Sequence, residues 1–295
     1  MDAFRTPDER FETLPDFPWK PKYHEWEGLR LAYVDEGEGQ PVVLFHGEPS
    51  WSFLYRKVMA VLLDKGYRCV AVDLPGFGRS DKPTDLSWYT YDRHTQAAAS
   101  VIEALDLHDA VFVVQDWGGP VGLRIGTLEA PERVSRFVAM DTGLFTGRQQ
   151  MSAGWHAFRD FVERTEDLPI GMLIENACAT EVPDEVIAAY EAPFPTRASK
   201  AGARAFPLML PLSPDQPGAA EGQAVADALR NDRRPALLMW GDSDPALPLD
   251  PVGRTVQALF PTAEKLTVIH DGGHFLQEDQ GHEIGALIAD WLANG

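Results

Sequence analysis

Cysteine is nearly absent from this sequence: Cys69 and Cys178 are the only two, far apart and without a CxxC pair. Neither a disulfide framework nor a cysteine zinc site is indicated. Long apolar runs are missing too, and none approaches the roughly 20 residues that a membrane-spanning helix needs. The first twenty residues carry charges throughout, with prolines at Pro7, Pro15 and Pro18, and hold no apolar stretch of the kind a secretory signal requires. Basic charge is also scarce. Lys and Arg number 26 against 45 Asp and Glu, a formal net charge of −19, and that field repels phosphate backbones and anionic lipid. Nucleic acid and membranes are therefore not expected as partners, and the expected compartment is the cytoplasm. Neither an internal repeat nor a low-complexity tract interrupts the chain.

What is present is a chain long enough, at 295 residues, for one large domain or two ordinary ones. Strand-like and helix-like segments alternate through its first half. Leu29–Val34, Val42–Phe45, Arg68–Val72, Ala110–Val114 and Val134–Met140 read as strands, with helical stretches near Phe53–Leu63, Thr95–Leu105 and Gly119–Leu128. The apolar runs are short and nearly continuous, as in parallel strands buried on both faces. From about Leu144 to Asn231 the pattern is helical and proline-rich, with no clear strand. Alternation then resumes with strands at Ala236–Trp240 and Lys265–Ile269, a helix near Val252–Phe260, and a last helix ending near Leu292. The simplest organisation is an α/β core formed by residues 1–143 and 232–295, interrupted by a helical cap over residues 144–231.

The most informative segment is Val113-Val114-Gln115-Asp116-Trp117-Gly118-Gly119, which joins a predicted strand directly to a predicted helix. A carboxylate at such a junction sits where unpaired N–H groups and the helix dipole favour its ionised form. Asp116 is then either an N-cap, the commoner role for such a residue, or a nucleophile able to attack saturated carbon and form an ester. Its surroundings favour the second reading. Downstream, Trp240-Gly241-Asp242-Ser243-Asp244 places carboxylates just after a strand, and Ile269-His270-Asp271-Gly272-Gly273-His274 places a histidine after the last strand. Loops at the carboxyl ends of parallel strands are the usual site location in open α/β sheets. His274 is the candidate general base, activating water, and Asp244 the acid that orients and charge-balances it. His270 is a bystander, because Gly272 and Gly273 oppose the helix that an H-x3-H metal pair would need.

Two further loops follow strands. In Phe45-His46-Gly47-Glu48-Pro49-Ser50-Trp51 the Glu48 N–H, together with that of Trp117, is the candidate oxyanion hole. In Asp73-Leu74-Pro75-Gly76-Phe77-Gly78-Arg79-Ser80 the third glycine of a dinucleotide fingerprint is replaced by Asp81, so this is a structural turn and no nicotinamide cofactor is expected.

Together these segments resemble the α/β-hydrolase superfamily over nearly the whole chain, helical insertion included. The Asp116 junction resembles that fold's nucleophile elbow, although Val114 stands where the usual pattern has glycine, and no G-x-S-x-G serine version occurs. His46-Gly47-Glu48-Pro49-Ser50-Trp51-Ser52 combined with Gln115-Asp116-Trp117-Gly118-Gly119 is similar to the haloalkane dehalogenases. Either half alone is unspecific, since epoxide hydrolases share the HGxP loop and the Asp-Trp turn. The resemblance implies a mostly parallel sheet flanked by helices, a small uncharged haloalkane as substrate, alcohol, halide and a proton as products, no metal or organic cofactor, and a monomer or weak oligomer. It also implies two polarised N–H donors that grip the halide as it gains charge. Trp117 is the shared first donor. The second is a cap tryptophan in one branch and an asparagine of the oxyanion loop in others; here that loop position is Glu48, and the one tryptophan of the cap is Trp155. Trp155 is thus the expected donor.

Ala192-Pro193-Phe194-Pro195 and Phe206-Pro207 are similar to the same branch, and Phe206 and Pro207 are expected in an apolar pocket wall. Other branches take the triad acid from the loop after the preceding strand, where Met140-Asp141-Thr142 stands, so Asp141 is the alternative to Asp244; Asp242 should point elsewhere. Rival chemistries make their own demands. An epoxide hydrolase resembling this chain needs two cap tyrosines, and the cap holds only Tyr190. A fluoroacetate-type dehalogenase needs cations around the substrate carboxylate, for which the cap offers Arg148, Arg159, Arg164, Arg197 and Arg204. A non-catalytic relative would bind without turnover.

Overall fold

The apolar runs of the sequence form one eight-stranded sheet in the computed structural model, which describes residues 2–263 and 265–294. Its strands are β1 (Lys22–Trp26), β2 (Leu29–Glu36), β3 (Pro41–Phe45), β4 (Arg68–Val72), β5 (Ala110–Asp116), β6 (Val134–Thr142), β7 (Ala236–Gly241) and β8 (Leu266–Ile269). They lie in the order β8-β7-β6-β5-β3-β4-β2-β1. Strands β3 to β8 run parallel, while β1 and β2 are antiparallel additions at one edge. The central strands β3 and β5 are buried along nearly their whole length, which is why their sequences do not alternate.

β1 is a strand that the sequence pattern does not announce. It is polar and largely exposed at the sheet edge, and it joins β2 through a two-residue turn at Glu27 and Gly28, both with positive φ (47° and 80°). That turn geometry matches the twist of a hairpin, but a glutamate in its first position carries little turn signal.

Helices cover the sheet in two layers. α1 (Arg56–Asp64) packs on α10 (Leu276–Asn294), while α2 (Tyr91–Ala104), α3 (Gly118–Arg124) and α8 (Ala219–Asn231) pack together; the short α9 (Arg254–Gln257) continues a helical turn at Leu249–Gly253 that lies against β7. The stretch between β6 and β7 is helical: α4 (Ala153–Arg164), α5 (Ile170–Ala177), α6 (Asp184–Glu191), α7 (Ala201–Met209) and α8, with no strand among the described residues. This helical insert is fastened to the core by buried polar bonds. Tyr190 on α6 donates its hydroxyl to Glu278 Oε2 on α10 (2.7 Å), and Glu278 also holds Arg56 of α1 through a bidentate pair at 2.6 and 2.7 Å. The Trp51 indole reaches the Ala189 carbonyl (3.3 Å), and from the N-terminal arm Thr6 Oγ1 reaches the Pro193 carbonyl (2.7 Å). No helix among the described residues is long and apolar enough to cross a membrane.

Candidate active site

The junction after β5 is sharply strained. Asp116 has φ of +48°, outside the region that non-glycine residues ordinarily adopt, so its side chain is lifted off the strand end instead of continuing into the sheet. Small neighbours make this possible. A Cβ at Gly118 would run into the Phe45 carbonyl, and one at Gly47 would run into the Asp116 carboxylate itself. Val114, the departure from the expected small residue, finds its space one turn into α3: its Cγ1 lies against Gly122, where an added Cβ would come within 2.7 Å.

Around the Asp116 carboxylate the core gathers the residues singled out by sequence. The Glu48 N–H donates to Asp116 Oδ1 at 2.8 Å. His274 Nε2 lies 3.5 Å from Asp116 Oδ2, and its Nδ1 lies 2.9 Å from Asp244 Oδ2. The other Asp244 oxygen accepts the N–H groups of Ala246 (2.6 Å) and Leu247 (2.9 Å), which fixes the carboxylate in a fully buried position. The backbone of His274 is held as well, by Gln115 Nε2 on its carbonyl (2.9 Å) and by the Ala177 carbonyl on its N–H (2.7 Å).

The electrostatics divide the four carboxyl groups near His274. Burial works against ionising Asp244, yet the adjacent imidazole and the two backbone N–H donors outweigh it and hold Asp244 below its ordinary value. Asp141 stands the other way. Burial, and then the negative charge of Asp244, push it well above its ordinary value; Gly241 N–H donates to its Oδ1 (2.9 Å), and its buried Oδ2 has no hydrogen-bond partner among the described residues. Burial and the Asp244 charge thus favour the protonated form of Asp141, and it is Asp244 that His274 bonds. Glu48 is likewise raised well above its usual value, by burial first and by the Asp116 charge second. Burial alone would lower His274, but Asp244 and then Asp116 raise it well above 6.5.

These groups open into a cavity of about 300 Å³ between the strand ends and the insert. Trp117 and Trp155 both line it, and neither indole N–H has a hydrogen-bond partner on the protein among the described residues. The indoles of Trp51 and Trp240, by contrast, are bonded to backbone carbonyls. Trp155 sits in the first turn of α4, where the Ser152 hydroxyl caps the helix by accepting the Trp155 backbone N–H (3.0 Å). Pro207, a proline inside α7, lines the cavity. Phe206 does not: it lies behind Trp117, 5.0 Å between ring centroids, and against Phe77 and His94.

Leu173, Asn176 and Ala177 of α5 and Phe158 of α4 also form the wall. Their helical pattern alone could not say which face meets the core. His270 is exposed and paired with Asp242 (3.0 Å), and both stand apart from the Asp116 group. Among the described residues no three His, Cys, Asp or Glu side chains converge as metal ligands. The glycine-bearing turn after β4 serves the site from behind: Asp73 accepts the N–H groups of Ser52 (2.8 Å) and Arg79 (2.9 Å), and Leu74 N–H donates to His46 Nε2 (3.0 Å), which anchors the Glu48 loop.

Comparison with known proteins agrees with this geometry. A family model described as alpha/beta hydrolase fold matches residues 40–280. The chain is 40% identical to a haloalkane dehalogenase of Psychrobacter cryohalolentis over 99% of this chain and 98% of that one. It is also 40% identical to one of Mycobacterium marinum, over 99% and 100%. Among solved structures it superposes on haloalkane dehalogenase DpaA of Paraglaciecola agarilytica NO2, described as tetrameric, with a TM-score of 0.92 and 34% identity, covering 97% of each chain. DatA of Agrobacterium tumefaciens C58 gives 0.80 and 26%, covering 98% of this chain and 99% of that one. With a strained aspartate where serine hydrolases carry serine, and with near full-length likeness to these relatives, the chain belongs to the haloalkane dehalogenases of the α/β-hydrolase fold.

Proposed function

We propose that this enzyme hydrolyses the carbon–halogen bond of small uncharged haloalkanes through an alkyl ester on Asp116. The observation that carries the reading is the meeting in one cavity of an ionisable, strained aspartate, a buried His–Asp pair and two indole N–H groups with no partner among the described residues. Asp116 attacks the halogen-bearing carbon from behind, and the C–X electron pair leaves with the halide. Trp117 and Trp155 donate to the halide as it gains charge, so they favour the transition state over the neutral substrate.

Alkylation neutralises Asp116 and so removes one of the two charges that keep His274 protonated. The imidazole can then release its proton and act as base. Supported by Asp244, it takes a proton from water as the water oxygen adds to the ester carbonyl, whose oxygen is held by the Glu48 and Trp117 N–H groups. Collapse breaks the ester C–O bond; the departing alkoxide takes the proton held by His274 and leaves as alcohol, and the new Asp116 carboxyl gives up its proton to return the carboxylate. The balance is haloalkane plus water to alcohol, halide and a proton, with no organic cofactor or metal in the scheme. Asp141 remains neutral and outside the proton path. Residues 144–231 act as the cap of the pocket. All of these side chains come from one chain, so a monomer or weak oligomer carries a complete site, and we place the enzyme in the cytoplasm.

The rival chemistries lack their instruments here. Tyr190 is buried with its hydroxyl committed to Glu278, so it cannot protonate an epoxide oxygen in the cavity. No Lys or Arg among the described residues lines the cavity, which leaves a substrate carboxylate without a counter-charge. The test is bromide and chloride release, with acidification, from short haloalkanes, alongside styrene oxide and fluoroacetate. Release from the haloalkanes that disappears in Asp116→Ala is the expected result; turnover of the epoxide or fluoroacetate alone would overturn the roles given to Trp117 and Trp155.

A further inference from the structure

Asp279, in the first turn of α10, accepts four hydrogen bonds from two separate parts of the chain. Its Oδ2 takes the N–H groups of Gly273 (2.8 Å) and Ala179 (2.9 Å), and its Oδ1 takes the N–H (2.9 Å) and the hydroxyl (2.6 Å) of Thr180. Gly273 immediately precedes the proposed base. Ala179 and Thr180 follow α5, whose residues Leu173 and Ala177 line the cavity. A second bond joins the same two segments, from the His274 N–H to the Ala177 carbonyl at 2.7 Å. They approach so closely that a Cβ at Gly273 would collide with the Ala177 carbonyl.

The backbone at His274 is therefore held from the core by Gln115 and from the insert by Ala177, and Asp279 clamps the insert segment to the turn that carries it. The imidazole ring has its own core partner, Asp244, but that bond fixes only Nδ1. The height of Nε2 above Asp116 depends on where the backbone of residues 273 and 274 lies, and that depends on the insert.

We propose that Asp279 is a positioning residue for the hydrolytic half of the reaction: it couples the cavity-lining segment 173–180 to His274 and so sets the base over the Asp116 ester. This rests on the ester mechanism. Alkylation needs Asp116 and the halide donors, none of which Asp279 touches, so it should be nearly indifferent to the clamp. Hydrolysis needs Nε2, water and the ester carbon in register, and small misplacements of a catalytic group are costly even when their cause lies outside the site.

The experiment separates the two half-reactions with 1-bromobutane. The bromide burst reports alkylation, and acid quench followed by intact mass reports the butyl ester on the enzyme. In Asp279→Asn the amide offers one acceptor oxygen and turns its NH2 toward at least one backbone N–H, so the clamp loses at least one of its four bonds. The expected result is alkylation within about twofold of wild type and ester decay slowed by about tenfold. Thr180→Val, which deletes only the hydroxyl bond, should shift the same ratio in the same direction by about twofold. Equal loss in both steps, or a lower melting temperature with the ratio unchanged, would overturn the proposal. If Asp279→Asn does not fold by circular dichroism, Thr180→Val decides, and an unchanged ratio there overturns it equally. Failure of the underlying reading looks different: neither the wild type nor His274→Gln would then release bromide at all.

Discussion

The two walls of the cavity are built by different means. On the core wall, Glu48, Asp116, Asp244 and His274 all stand on or just beyond the carboxyl ends of parallel strands, and each is held by a bond at or below 2.9 Å to another core group. The strain at Asp116 and the absence of a Cβ at Gly47 and Gly118 leave that wall little freedom. The insert wall is a set of amphipathic helices. Trp155 there depends on one Ser152 cap and on packing, and its helix α4 keeps most of its surface exposed. In the proposed mechanism, bond making and breaking at carbon falls to groups at strand ends, while the shape of the pocket and half of the halide grip fall to insert helices, which meet the core wall at His274 through Ala177 and Asp279.

Variants can break or sharpen this division. The largest effect is expected from Asp116→Ala, which removes the bond-forming oxygen and should lower steady-state halide release by at least ~10⁴-fold. His274→Gln should allow one halide per chain and then stall, with turnover down by about 10³-fold, read as a burst followed by a flat line. Trp155→Phe deletes one N–H donor from the insert wall and should slow the halide-releasing step by about 10²-fold, while the rate of ester decay stays as in wild type. If ester decay fell in parallel, the separation between the walls would fail.

The next test is one of pH. Hydrolysis needs neutral His274, so its rate falls as pH drops through the His274 pKa. Asp244 is the largest influence raising that pKa. Asp244→Asn should therefore move the acid limb of ester decay to lower pH, besides slowing it; a limb that stays in place would assign the charge balance elsewhere, with Asp141→Asn as the comparison. The smallest effect is expected from Phe206→Leu, which loosens the ring behind Trp117. Loss of an aromatic contact is worth about 1 kcal/mol, or roughly fivefold in halide affinity read by bromide quenching of tryptophan fluorescence.

The same division explains what the sequence disclosed. Strands β3 to β7 were legible because strands inside the sheet carry nearly unbroken apolar runs, β2 and the edge strand β8 showed as shorter apolar segments at Leu29–Val34 and Lys265–Ile269, and the core residues were legible because a short loop after such a run has few places to go. Edge strand β1 was not, since its exposed faces need no apolar pattern and its turn uses Glu27. The N-terminal arm, which bonds to Pro193, leaves no periodic trace at all. In the insert, composition foretold helices but not which face of each meets the core. Pro207 and Phe206 are neighbours in sequence, yet one lines the cavity and the other supports Trp117 from behind. The balance between Asp141 and Asp244 was illegible for another reason: two carboxyl groups behind one imidazole cannot both ionise cheaply, and Asp244 is favoured as the anion by the His274 ring and by the backbone donors of Ala246 and Leu247, which only the folded loop brings together.

The central claim is that the oxygen delivered to the substrate comes from Asp116 and is replaced from water. A single turnover of 1-bromobutane by excess enzyme in ¹⁸O-labelled water tests it directly. The alcohol should carry unlabelled oxygen, and the label should appear in the peptide that contains Asp116. A first-turnover alcohol carrying the label, with that peptide unlabelled, would mean that water attacks the substrate itself and would contradict the account.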